Sequence, residues 1–209
     1  MQLDHYLAFV AASAILLAIP GPTVLLVISY ALGHGRRAAL GTVAGVALGD
    51  FTAMTASMLG LGALLSTSAM VFTGLKWVGA AYLIYLGIKL WRAPVGTADL
   101  AELAPAASPR RIFLHAYAVT ALNPKSIVFF VAFLPQFLDA AAPVAEQMAV
   151  FVATFVVMAT LNAVAYGMMA AAARRTIRKP AVQRAVNRTG GSLLIGAGLL
   201  AALWRRVPA

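Results

Sequence analysis

The feature that most constrains this chain is the length of its apolar runs, which reach the roughly 20 residues that an α-helix needs to cross about 30 Å of hydrocarbon. Between charged and turn-forming clusters they fall near Tyr6–Leu32, Leu40–Leu65, Val71–Trp91, Ile112–Leu138, Met148–Ala173 and Thr189–Trp204. Strands of a soluble core would be much shorter. Composition agrees, with 62% hydrophobic and 11% charged residues over 209 positions, far from the balance of an ordinary soluble domain. The sequence therefore predicts an all-α membrane protein of six transmembrane helices. The sixth is short for a span, so it either begins before Thr189 or lies tilted under a locally thinned bilayer. Met1–His5 holds no Lys or Arg and the apolar run continues to Leu32, so the first run reads as a retained helix and not as a secretory signal.

The formal charge of +10 has a topological explanation. With six spans the connections alternate between two sides. One side collects Arg36, Arg37, Lys89, Arg92, Arg110, Arg111, Arg174, Arg175, Arg178, Lys179, Arg184 and Arg188, and the other only Lys76, Arg205 and Arg206, with Lys125 left inside a helix. Basic residues near helix ends mark the cytoplasmic face, which puts both termini outside the cytoplasmic (inner) membrane of a bacterium. Trp77, Trp91 and Trp204 fall near the expected interfaces as belt residues. A nucleic-acid partner is not expected, because that reading needs a solvated basic face with groove-reading or base-stacking elements. Cysteine is absent and His5, His34 and His115 are scattered, so neither a metal centre nor another cofactor is expected.

The stretch Ala93–Pro109, rich in Pro, Gly, Ser, Thr and Ala, divides the chain nearly in half. The 209 residues read as one integral membrane domain, with a first repeat over about 1–92, a linker over about 93–111 and a second repeat over about 112–209. Three helices per unit is an odd number, so the second unit starts on the opposite side from the first, which makes an inverted repeat. Each unit opens on a helix broken in its middle: Ile19-Pro20-Gly21-Pro22 in helix 1 and Asn123-Pro124-Lys125 in helix 4. A proline lacks the N–H and clashes with the carbonyl four residues back, so the carbonyls of Leu16, Ala18 and Thr120 are expected to lose their helical partners. Such groups are tolerated at membrane depth only where protein or a water-lined cavity satisfies them. Paired breaks of this kind point to a transporter's binding site. Half-helix starts near Thr23 and Ser126 offer N–H groups to a carboxylate, and freed carbonyls offer acceptors to an ammonium.

Asp50 lies about ten residues into helix 2, where an ionised side chain must find a partner, and Lys125 is the one basic residue equally deep. The two are expected to face a cavity between the repeats, paired directly or bridged by substrate, with Asp50 also able to take up a proton. A purely structural ion pair between helices 2 and 4 is the bland alternative. Gly41, Gly45 and Gly49 form a small-residue stripe on helix 2, expected to pack against helix 1 or a helix across the repeat in preference to a dimer face. Asn162, with Thr160 and Tyr166 nearby, is the loose counterpart of Asp50 in helix 5.

At these residues the chain resembles the lysine exporter family, also called the LysE/RhtB or homoserine and threonine resistance family. The resemblance includes Ile19-Pro20-Gly21-Pro22, the Gly35–Arg37 turn, the glycine stripe ending in Gly49-Asp50, and Asn123-Pro124-Lys125 with Phe129-Phe130 and Leu134-Pro135-Gln136-Phe137 downstream. It implies export of an amino acid or an analogue from the cytoplasm, driven by the proton gradient. The implied site comprises Pro20, Gly21, Pro22, Thr23, Asp50, Asn123, Pro124, Lys125 and Asn162. One deep acid balanced by one deep base favours a zwitterionic substrate. An intramembrane enzyme would need a nucleophile and base at one depth, and none is present. A cation transporter or channel using the same broken helices is the alternative. Repeat symmetry within one chain permits a working monomer, a homodimer is the expected state without being required, and the remaining partner is the lipid bilayer.

Overall fold

The computed structural model describes residues 2–65, 69–93, 108–139, 142–177 and 179–203. The described residues are helical, with no strand among them: α1 (Leu3–Ala18), α2 (Pro22–Leu65), α3 (Ala69–Trp91), α4 (Pro109–Ala121), α5 (Pro124–Ala132), a 3-10 turn (Leu134–Gln136), α6 (Val144–Ile177) and α7 (Pro180–Leu203). Proline sets several of the starts. Pro109, Pro124 and Pro180 each stand at the beginning of a helix, where the missing N–H would have had no helical partner in any case.

Two of these helices, Leu40–Gly60 within α2 and Val144–Ala170 within α6, are long and apolar enough to cross a membrane. Two bent pairs pass the same test together, Leu3–Ala18 with Pro22–Leu32 at 52° and Pro109–Ala121 with Pro124–Gln136 at 40°, giving up to four spans by length and composition. The bends fall at the expected proline motifs. The last helix starts at Pro180, before Thr189, the first of the two explanations for its short apolar run. Polar residues such as Gln183, Arg184, Asn187 and Arg188 form its first turns, and a hydropathy reading passes over them because they are not apolar. The linker residues 94–107, together with Arg178, Trp204, Arg205 and Arg206, lie outside the described residues, as do the side chains of His34, Arg36, Arg37, Lys76, Arg174 and Arg175.

α2 folds back on itself. Thr23 hydrogen-bonds Thr120 of α4, and a Cβ on Gly49 would stand 2.7 Å from the Cβ of the same Thr120. Tyr30 meets His115, and Gly41 and Gly45 lie against Ile112 and Ala116. A straight helix would hold residues 23 and 49 roughly 39 Å apart at 1.5 Å per residue. The chain therefore reverses between Leu32 and Leu40, and both arms run beside α4.

The glycine stripe makes this approach possible. A Cβ on Gly45 would fall 2.5 Å from the Phe113 carbonyl oxygen and 2.8 Å from the Ala116 Cβ. The stripe thus packs against a helix of the second half. On the other flank α3 and α7 approach through Gly87 and Gly191, each of whose Cβ positions lies under 3 Å from the other's carbonyl oxygen. Asn162 and Tyr166 of α6 reach the end of α1, so second-half helices pack against first-half helices throughout.

A phenylalanine cluster fills the space between the N-terminal part of α1, the far part of α5 and the early part of α6. Phe9 sits 4.4 Å from Phe151 and 5.8 Å from Phe137 between ring centroids, and Phe130 meets Phe155 edge-on at 4.8 Å. These offset and edge-to-face contacts are the arrangements that aromatic quadrupoles favour.

Candidate functional site

The two breaks solve the same backbone problem differently. At the second, the Thr120 carbonyl accepts from the Asn123 N–H at 3.0 Å, and the Asn123 side chain caps α5 by accepting from the Lys125 N–H at 3.1 Å. The break is closed by its own neighbours, as asparagine at an N-cap allows.

At the first break the Ile19 N–H returns to the Leu16 carbonyl at 3.3 Å, and the rest of the closure comes from afar. The Lys125 Nζ donates to the carbonyls of Leu16 at 2.8 Å and Ile19 at 2.7 Å. Asn162 Nδ2 donates to the Leu17 carbonyl at 3.2 Å, and the Tyr166 hydroxyl donates to the Ala18 carbonyl at 2.8 Å. Four consecutive carbonyls, Leu16 to Ile19, are thus each served by a side chain of α5 or α6. A buried carbonyl left unsatisfied costs about 1–3 kcal/mol, which is why the polar side chains of the second half gather here. Of the three carbonyls expected to lose their helical partners, Leu16 is supplied both locally and across the halves, Ala18 across the halves and Thr120 locally.

Both breaks open on one cavity holding about 430 Å³ not filled by protein atoms, its mouth included. Gly21, Thr23, Asp50, Asn123, Lys125 and Asn162 line it, together with Ser126 and an apolar wall from Leu16, Leu17, Val24, Val27, Val46, Ala159 and Ala163. The other three expected site residues, Pro20, Pro22 and Pro124, make the breaks and do not line the cavity. Thr120 Oγ1 and Asn123 Nδ2 donate to Thr23 Oγ1 at 3.3 and 3.2 Å, tying the start of α2 to the second break. α2 has Gly21 at its N-cap, since the Leu25 N–H bonds the Gly21 carbonyl at 2.9 Å, and glycine offers no side chain to the Thr23 and Val24 amides.

Asp50 is 3% exposed and Lys125 9%. The lysine directs its ammonium to the break carbonyls, and no ion pair joins it to Asp50 within 4 Å. Among the described residues none hydrogen-bonds the Asp50 carboxylate. Of the two expected arrangements, direct pairing and bridging by substrate, direct pairing is not formed. The sequence shows which carbonyls a proline frees, but it cannot show which distant donor answers them, and the apolar wall carries no chemical signal of its own.

Residues 14–204 match the model of the LysE type translocators. The chain belongs to the LysE type translocator family. It is 36% identical over 208 residues to an uncharacterized membrane protein of Vibrio cholerae, covering 97% of this chain and 98% of the relative. It is also 36% identical over 202 residues to the homoserine/homoserine lactone efflux protein of Salmonella typhimurium, with the same coverage. A leucine efflux protein of Salmonella choleraesuis shares 30% over 139 residues, 66% of each chain. No solved structure is significantly similar to it. As a translocator of this family the protein is a multi-pass membrane transporter and not an enzyme, and its work calls on no cofactor.

Proposed function

We propose that this translocator is a secondary exporter that carries an amino acid or amino-acid-like metabolite out of the cytoplasm by proton antiport with alternating access. In this reading it crosses the bacterial inner membrane six times as two inverted three-helix units, with both termini outside. The observation that carries the proposal is the meeting of both broken helices in one cavity with one deep acid and one deep base. Backbone carbonyls outside the regular helix, a helix start with uncapped amides and a carboxylate are the groups that an α-amino acid needs. The Thr23 and Val24 amides take the substrate carboxylate. Asp50 offsets the substrate ammonium and carries the coupled proton, while Asn123 and Asn162 hold the two breaks in register.

The names of the relatives, homoserine, its lactone and leucine, narrow the panel to neutral amino acids with aliphatic or hydroxylated side chains, which suits the cavity's apolar wall. A cation pathway through the same carbonyls is the competing reading. Lys125 already occupies the two carbonyls that a metal cation would use, which favours an ammonium-bearing substrate. Both breaks, the acid and the base come from the two halves of a single chain, so a monomer suffices for the proposed site.

Counterflow in proteoliposomes tests the proposal: labelled homoserine, an imposed pH gradient, and unlabelled homoserine, leucine and lysine as competitors. Saturable exchange that responds to the gradient and is lost in Pro22→Ala is the expected result. Folded protein that exchanges none of them would overturn it.

A further inference from the structure

We propose that the Leu16 and Ile19 carbonyls form a seat for a primary ammonium, which Lys125 fills in the empty carrier and the substrate's amino group takes over. The inference rests on the exporter reading above and names the contact by which such a substrate would be recognised. The ammonium of Lys125 is held as a free amine would be, by two carbonyl oxygens at 2.8 and 2.7 Å. The Asp50 carboxylate lines the same cavity and receives no hydrogen bond from another described residue. The backbone beside the seat is Gly21, whose Cβ position lies 3.5 Å from Nζ, so no side chain crowds it. Everything that stabilises the lysine ammonium there would equally stabilise the ammonium of an amino acid.

The two occupants exclude one another, and neither can leave without a replacement. A departing lysine strands the buried Ile19 carbonyl and leaves that of Leu16 with only the 3.3 Å bond from the Ile19 N–H unless other N–H donors arrive, and an amino acid brings three. Lysine suits the role because its ammonium sits on a flexible four-carbon stem with rotatable donors. Lys125 lies at the start of α5 and its seat lies at the end of α1, so the bond clamps the second break to the first. Substrate binding releases that clamp by substitution. The freed lysine turns towards the cavity, where Asp50 and the substrate carboxylate are its available partners. The empty carrier is thus held in register, and the loaded one gains the freedom to move one half against the other.

Lys125→Met keeps the stem and removes the ammonium. Purified Lys125→Met is expected to bind methylammonium saturably, with a melting temperature raised by about 3 °C or more at tenfold excess over half-saturation. Tetramethylammonium, which has the same charge but no N–H to donate, should leave it unchanged, and wild type should ignore both amines. A folded Lys125→Met that does not distinguish methylammonium from tetramethylammonium would overturn the seat. Should that variant fail to fold, reductive methylation of wild-type protein decides the matter, read at Lys125 by peptide mass spectrometry with and without L-homoserine. Displacement predicts at least a threefold faster modification of Lys125 with homoserine present, whereas unchanged or slower modification would overturn it. The methylammonium result does not depend on which amino acid is carried, so a failure of counterflow would sink the exporter reading and leave the seat standing.

Discussion

At the residue scale, each polar side chain at the first break answers a particular backbone group, so substitutions should separate cleanly. Tyr166 gives the Ala18 carbonyl a donor from α6, and Tyr166→Phe removes that donor with little change in volume. The expected cost is about 1 kcal/mol of stability, read as a lowered melting temperature in detergent with exchange retained. Asp50 behaves differently, because its carboxylate serves no backbone group. Asp50→Asn is expected to stay folded and monodisperse while the pH gradient loses its effect on exchange. A misfolded Asp50→Asn would instead make the acid a structural member of the bundle. The sequence identified Asp50 and Lys125 as the deep charges, because any charge in an apolar run announces itself. It did not show that Lys125 bonds carbonyls 106 and 109 positions away, since a hydrogen bond between distant residues leaves no local signature.

Among elements, close approach is set by what glycine leaves out. The arm of α2 after Leu40 lies on α4 because Gly45 and Gly49 have no Cβ, and without water to drive association such packing is the main attraction between helices in lipid. Gly45→Val should force the pair apart and cost at least about 1–3 kcal/mol, seen as a lowered melting temperature. Gly60→Val, in the same helix but with nothing within 4 Å of its Cβ position, should change little. The stripe's partner across the halves was one of the two expected. The last helix begins before Thr189, as one of its two readings expects, and the place of its start, Pro180, is hidden from hydropathy because its first turns are polar.

At the scale of the whole molecule, the clustering of basic residues predicts which connections face the cytoplasm, and the absence of cysteine makes the prediction simple to check. A single cysteine replacing Ala98 should react with a membrane-impermeant maleimide only in inside-out vesicles, and one added at the N-terminus only in right-side-out vesicles. The reverse pattern would invert the proposed orientation and with it the direction of export.

The sequence by itself determined that the chain is helical and membrane-embedded, where its helices break, and which charges lie deep. Each of these follows from local chemistry: apolar run length, the missing N–H of proline, and the cost of a charge in hydrocarbon. Only the tertiary structure decided that both breaks share one cavity, that α2 folds back along α4, and that Lys125, Asn162 and Tyr166 satisfy the carbonyls of Leu16 to Ile19. A broken helix fixes the demand for hydrogen bonds within a few residues. The donors that meet it are chosen by packing among helices far apart in the chain.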